Sequence, residues 1–170
     1  ILAARAQQPN ATFYGSFEDR HQSKRAYALM AHPDPQITLA RLLQPHAEAT
    51  LARSALEPVV LLPQDTSSLN YSGLRQTTGL GYINHEGSRG LFLHGLLAWR
   101  PDGVPLGVLH AHCWARPEVP THDPRHRNGK AIDEKESLCW LEALRSAATA
   151  ARRVPHTTFI TLADRGGDLY

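Results

Sequence analysis

Glu57-Pro58-Val59-Val60-Leu61-Leu62-Pro63 is where the chain changes character. Four apolar residues run together without interruption, the pattern of a short strand buried in a sheet. Pro63 donates no ladder hydrogen bond and belongs at an edge, an end or a bulge, so the strand is expected to stop near it. The change of register puts a domain boundary here, with residues 1–55 as a helical segment and residues 56–170 as a sheet-bearing part.

Upstream of this run, Ala26, Leu29, Ile37, Ala40, Leu43, Ala47 and Leu51 recur at helical intervals, interrupted by Pro33, Pro35 and Pro45. That spacing predicts short helices packed as a small bundle. Downstream, the Gly-, Ser- and Thr-rich stretch from Gly73 to Arg89 reads as a flexible loop, with strand pairing resuming at Leu91. Leu91 to Trp99 and Val104 to Ala115 flank Arg100-Pro101-Asp102-Gly103, in which proline presets φ and glycine supplies a positive φ. A β-hairpin follows from that arrangement.

Arg116 to Lys130 holds three prolines and many charges and is expected to be a loop. Asp133, with Glu136 three residues on, resembles a helix start, and Leu138, Leu141, Leu144, Ala148 and Ala151 form an apolar stripe widened by Trp140 and Ala147. The helix should end before Pro155. His156 to Ala163, rich in Thr and Ile, predicts a fourth strand that delivers the chain to Asp164-Arg165-Gly166-Gly167-Asp168.

The expected order is therefore helices, then β-β-β-α-β: an α/β fold of ribonuclease H-like topology, incomplete, in which the strand after the helix runs parallel to the first. Open α/β sheets carry their chemistry outside the carboxyl ends of such strands. Those ends are Asp65 and Asp164, 99 residues apart in sequence and expected on adjacent strand tips. Anionic, hard oxygen ligands suit Mg²⁺, with Mn²⁺ able to substitute. Two such ions roughly 3.5–4 Å apart activate the attacking oxygen and stabilise the leaving oxygen of a phosphodiester displacement.

Composition sets outer limits. The 170 residues are 42% hydrophobic, enough for one sizeable core. A net charge of +2 does not by itself imply a polyanionic partner, although Arg116, Arg125, His126, Arg127 and Lys130 crowd one stretch. The two cysteines, Cys113 and Cys139, lack the flanks of a disulfide framework. No apolar run of about 18 residues is present and the start lacks a secretory pattern, so a soluble intracellular protein is expected. The chain opens in an Ala-rich apolar stretch without Met and closes as an element begins, and so reads as a fragment.

Each motif has a plainer reading. Asp65 before Thr-Ser is an ordinary cap or turn pattern, and Asp164 fits a strand-exit turn with Arg165 and Asp168 as a surface pair. His110-Ala-His112, joined by His122 or His126, would begin a zinc site but lacks a convincing fourth ligand. Gly79-Leu80-Gly81 has no Gly-Lys-Ser/Thr ending to make a phosphate loop. Glu134 and Glu136 open a helix whose dipole favours anions, a capping role.

Five segments carry a family resemblance. LLPQDTSSLNYSG resembles the first-aspartate segment, and TLADRGGDLY the second-aspartate segment, of bacterial insertion-sequence DDE transposases, the cut-and-paste family that includes the transposase of transposon five. Between them, GLGYINHEGSRGLFLHGLLAWRPDGVPLGVLHAHCWAR is similar to the family's strand pair, and EKESLCWLEAL to its Glu-Lys-Glu-Ser helix start. KRAYALMAHPDPQITLARLLQPHAEATLAR is similar to the helical segment before the catalytic core. The second motif departs from the family's Arg-Glu-Gly or Arg-Glu-Ala, reading Arg165-Gly166-Gly167 before Asp168.

The resemblance implies metal-dependent cleavage and strand transfer of double-stranded DNA, at transposon ends and target, by a homodimer in the bacterial cytoplasm near the nucleoid. Asp65 and Asp164 would be the first two catalytic metal ligands, and the third, a glutamate much further along, has no counterpart among these residues. Arg116, Arg125, Arg127, Lys130 and Arg165 are the candidate DNA contacts. The alternative is a catalytically inactive remnant that only binds DNA or dimerises.

Overall fold

In the computed structural model of the chain, residues 1–83, 87–116 and 136–167 are described. They form two compact units, Ile1–Thr38 and Leu39–Tyr170. The division falls earlier than the sequence boundary at Leu56, because the helix before that boundary packs on the sheet.

The first unit holds helix α1 (Leu2–Gln7) and helix α2 (Arg20–Met30). The Asp19 carboxylate caps α2 by accepting the Gln22 N–H at 2.7 Å. The Arg5 guanidinium donates to the Ala11 carbonyl at 2.7 Å and to Ser16 Oγ at 2.5 Å, which ties the connecting loop to α1. Phe13 meets Phe17 and Tyr27 edge-on, with ring centroids 5.2 and 5.0 Å apart.

The second unit is mixed α/β. It begins with helix α3 (Leu39–Ser54), followed by strands β1 (Val59–Asn70), β2 (Gly81–Tyr82), β3 (Arg89–Trp99) and β4 (Pro105–Trp114), helix α4 (Leu138–Arg153) and strand β5 (Thr158–Leu162). Pro33 and Pro35 do separate α2 from α3, but Pro45 lies inside α3, where a break was expected. The helix forgoes one i→i−4 bond there, a local cost that packing against β4 offsets.

Within the sheet β3 is central: it pairs antiparallel with β1 on one side and with β4 and the short β2 on the other. Strand β5 joins the far side of β1 in parallel, as expected. The hairpin turn also forms as expected. The Arg100 N–H reaches the Val104 carbonyl at 2.8 Å, and Gly103 adopts φ +91°, a conformation that favours glycine.

One face of the sheet holds the core, made of Val60, Leu62, Leu96, Ala98 and Leu106 packed against Ala143 and Ala147 of α4. Val60, Leu62 and Leu96 are fully buried, each stabilising the fold by about 1.5–3 kcal/mol. Helix α3 contributes Leu51, which clusters with Ala150 of α4 and with Val154 just after it. The buried stripe of α4 differs from the expected one: it runs Cys139, Trp140, Ala143, Ala147 and Ala150, while Leu144 is 48% exposed. Small alanines let the helix approach the strands closely, so the leucines do not define its inner face. The helix spans Leu138–Arg153 behind Ser137; Asp133 and Glu134, read as the helix start, lie outside the described residues.

Candidate functional site

Strand β1 is longer than its sequence promised. It continues through Pro63 to Asn70, and its antiparallel register with β3 runs from Leu61 opposite Trp99, then from Gln64 opposite Leu96 to Asn70 opposite Gly90. Pairing with β3 lapses at Leu62 and Pro63 and resumes in the same register, so the missing proline N–H costs the ladder only locally. Asp65 is therefore not a strand tip, as expected, but a residue within β1, paired across from Gly95.

What ends near Asp65 is the parallel ladder. Val59 pairs with Thr158, and each step keeps the same offset up to Pro63 with Leu162. Two residues further on each chain stand Asp65 and Asp164, separated by that same offset. Strand residues alternate faces, and the core side of β1 carries Val60, Leu62 and Gln64, so Asp65 belongs to the opposite face. Both aspartates are exposed.

Each carboxylate is oriented by its own backbone. Asp65 Oδ1 accepts the Thr66 N–H at 2.7 Å. Asp164 Oδ1 accepts the Gly166 N–H at 2.7 Å, in a short 3₁₀ turn spanning Arg165–Gly167. The turn that the plain reading of Asp164 foresaw is thus present, and it leaves the carboxylate at the surface. A Cβ on Gly166 would come 2.9 Å from both Asp164 Oδ1 and Trp140 Cζ2, so this tight contact requires a glycine.

Behind Asp65, on the core side, lies a histidine-rich interface with α4. His94, fully buried, sits opposite Thr66 on one strand and His112 on another. Its Nδ1 is 2.7 Å from Thr66 Oγ1 and its Nε2 is 3.2 Å from Gln64 Oε1. These partners suit a neutral ring protonated at Nε2, because the glutamine oxygen only accepts. Burial pushes the His94 pKa down, His110 and His112 add to that, and Asp65 opposes it. Burial likewise lowers the His110 pKa; its Nδ1 is 3.2 Å from Ser146 Oγ, while its buried Nε2 has no hydrogen-bond partner among the described residues. His112 Nδ1 lies 3.5 Å from Glu142.

His110 and His112 do share a face, but among the described residues no group of three or more His, Cys, Asp or Glu is arranged to hold a metal. His122 and His126, the other members of the possible zinc set, lie outside the described residues. Cys113 is exposed and Cys139 buried, both as free thiols, and burial raises the Cys139 pKa.

The candidate DNA contacts divide. Arg165 is exposed beside Asp164. Arg116 is engaged within the protein: both arms of its guanidinium meet Glu136, and the group lies 4.1 Å above the Phe92 ring. Phe92 in turn stacks on Trp114 at 5.5 Å. Glu136 thus serves as an anchor for Arg116, a partner its place before a helix did not reveal. Arg125, Arg127 and Lys130, together with Asp168, lie outside the described residues.

Among the described residues no helix is long and apolar enough to cross a membrane. A comparison with models of known protein families finds no match.

Proposed function

We propose that the chain is part of a DDE-type DNA transposase, with a ribonuclease H-like core in which Asp65 and Asp164 are the first two of three metal-binding carboxylates. The observation that carries this reading is the shared offset: one parallel ladder ends at Pro63 and Leu162, and two residues beyond each of them stands an exposed aspartate. The strand order supports it as well: the long antiparallel strands β1, β3 and β4, then a helix and a strand parallel to the first, are the opening of that fold.

The donor set fits a hard divalent cation, since both groups are exposed carboxylates and each is aimed by a backbone N–H. When bound, Mg²⁺ or Mn²⁺ neutralises phosphoryl oxygens and makes the attacking hydroxyl more acidic. The chain's own contribution is orientation. The Thr66 and Gly166 amides fix the two carboxylates, and Arg165 supplies a cation next to them for a DNA phosphate. The reaction proposed is hydrolysis of one strand at a transposon end, followed by transfer of the freed 3′ hydroxyl to target DNA, in a homodimer.

Calorimetric titration of Mn²⁺ into the 170-residue chain tests this, comparing wild type with Asp65→Ala and Asp164→Ala in one buffer. Weak binding lost in both variants supports a shared site. Binding that survives both substitutions refutes it.

A further inference from the structure

The two aspartates come from distant parts of the chain and touch only through what lies between them. Trp140, near the start of α4 and 8% exposed, meets the fully buried His94 edge-to-face at 4.6 Å between centroids. On one side His94 is bonded to Thr66, the residue whose N–H holds Asp65. On the other side Trp140 lies against the Asp164 turn: a Cβ at Gly166 would be 2.9 Å from Trp140 Cζ2, and one at Gly167 would be 3.3 Å from Cε3. The Gly166 and Gly167 amides both bond to Asp164, through Oδ1 at 2.7 Å and the carbonyl at 3.0 Å. A continuous packed path therefore runs Asp65, Thr66, His94, Trp140, Gly166, Asp164.

We infer that Trp140 and His94 are positioning residues for the Asp65–Asp164 pair: stacked between sheet and helix, they hold the Asp164 turn and the Asp65 strand segment at one spacing. The physical case is that Asp65 is fixed by the ladder between β1 and β3, whereas Asp164 has no strand pairing of its own. Asp164 lies beyond the last residue of β5, in a turn of three residues, and such a turn has no ladder bonds to fix it. The indole provides the rigid surface on which the turn rests, and the two glycines remove the side chains that would keep it away. His94 fixes the indole from the other side, and its own two hydrogen bonds lock the ring. What the pair positions rests on the proposed function; that it positions the two segments does not.

The test uses the full 170-residue chain without metal. Backbone amide exchange is followed at Gly166 and Gly167, and in the β1–β5 ladder as a control, for wild type, Trp140→Leu, Trp140→Phe and His94→Asn. Asparagine keeps an acceptor for the Thr66 hydroxyl but removes the ring that braces Trp140. Exchange at 166 and 167 should rise about tenfold or more in Trp140→Leu and His94→Asn, stay near wild type in Trp140→Phe, and change little in the ladder. Unchanged exchange at 166 and 167, or an equal rise everywhere, overturns the inference. Mn²⁺ titration of the same proteins should then show affinity falling about tenfold to a hundredfold in the first two variants and recovering in Trp140→Phe. If wild type itself binds no Mn²⁺, the metal reading fails, and the exchange data still decide the positioning role.

Discussion

His46 in α3 accepts the backbone N–H of Val108 in β4, Nε2 to N at 3.0 Å, and so a helix side chain occupies the outer edge of a strand. Arg53 completes the cover by donating Nε to the Leu106 carbonyl at 2.7 Å. Edge strands need such protection, because unpaired backbone groups invite other chains. Close approach is possible because Gly107 lies between, at φ +140°, where a Cβ would be 2.2 Å from Thr50 Oγ1.

Gly107→Ala is accordingly expected to destabilise the second unit by more than about 2 kcal/mol, combining backbone strain with a clash against a fully buried threonine. His46→Ala should cost about 1–3 kcal/mol by leaving the Val108 amide without its acceptor. Urea midpoints at constant slope would measure both; a Gly107→Ala protein as stable as wild type contradicts the packing described.

On α4, exposure and not residue type should govern tolerance. Leu144→Gln is expected to change stability by no more than about 0.5 kcal/mol, since the side chain is 48% exposed. Ala143→Leu, at a fully buried position against the sheet, should cost about 1–3 kcal/mol through overpacking. The reverse ranking in denaturant unfolding would restore the leucine stripe.

Stability should fall in mild acid. His94 and His110 have folded pKa values below the ordinary imidazole value of 6.5, so the folded state binds fewer protons than the unfolded chain. Their contribution is complete above about pH 6.5 and is lost as pH drops through that value towards the depressed ones. The groups that face them are His112, Glu142 and Asp65. Urea midpoints taken from pH 8 down to 5.5 should decline, and His110→Gln should flatten the decline. A midpoint that rises on acidification would refute the sign.

Asp65→Asn and Asp164→Asn should leave the fold intact, with melting temperatures within about 3 °C of wild type, because both side chains are exposed and neither fills the core. Mn²⁺ binding should nevertheless disappear in each. Loss of binding with loss of fold would assign the aspartates a structural role instead.

The proposed site needs a third carboxylate besides Asp65 and Asp164, and on that reading the 170-residue chain alone is expected not to complete strand transfer. Incubation with supercoiled target and pre-cleaved end DNA in Mn²⁺ checks this, and joined product from the isolated chain would count against the three-carboxylate reading.

Much of this was legible in the sequence because the signals are local. The apolar run at Val59 announced a strand, Pro101 and Gly103 announced a turn, and the 99-residue separation of Asp65 and Asp164 already contained the offset of the parallel ladder. Local propensity and periodicity act over a few residues, and those residues carry them wherever they are folded. Tertiary structure decided what depends on distant partners. Pro45 continues a helix because α3 packs on β4, β1 runs past Pro63 because β3 pairs with it to Asn70, and α4 turns alanines inward because the strands come close. The contact of Trp140 with His94 and Gly166 belongs to this second kind: it joins residues from a helix, a strand and a turn, and packing alone brings them together.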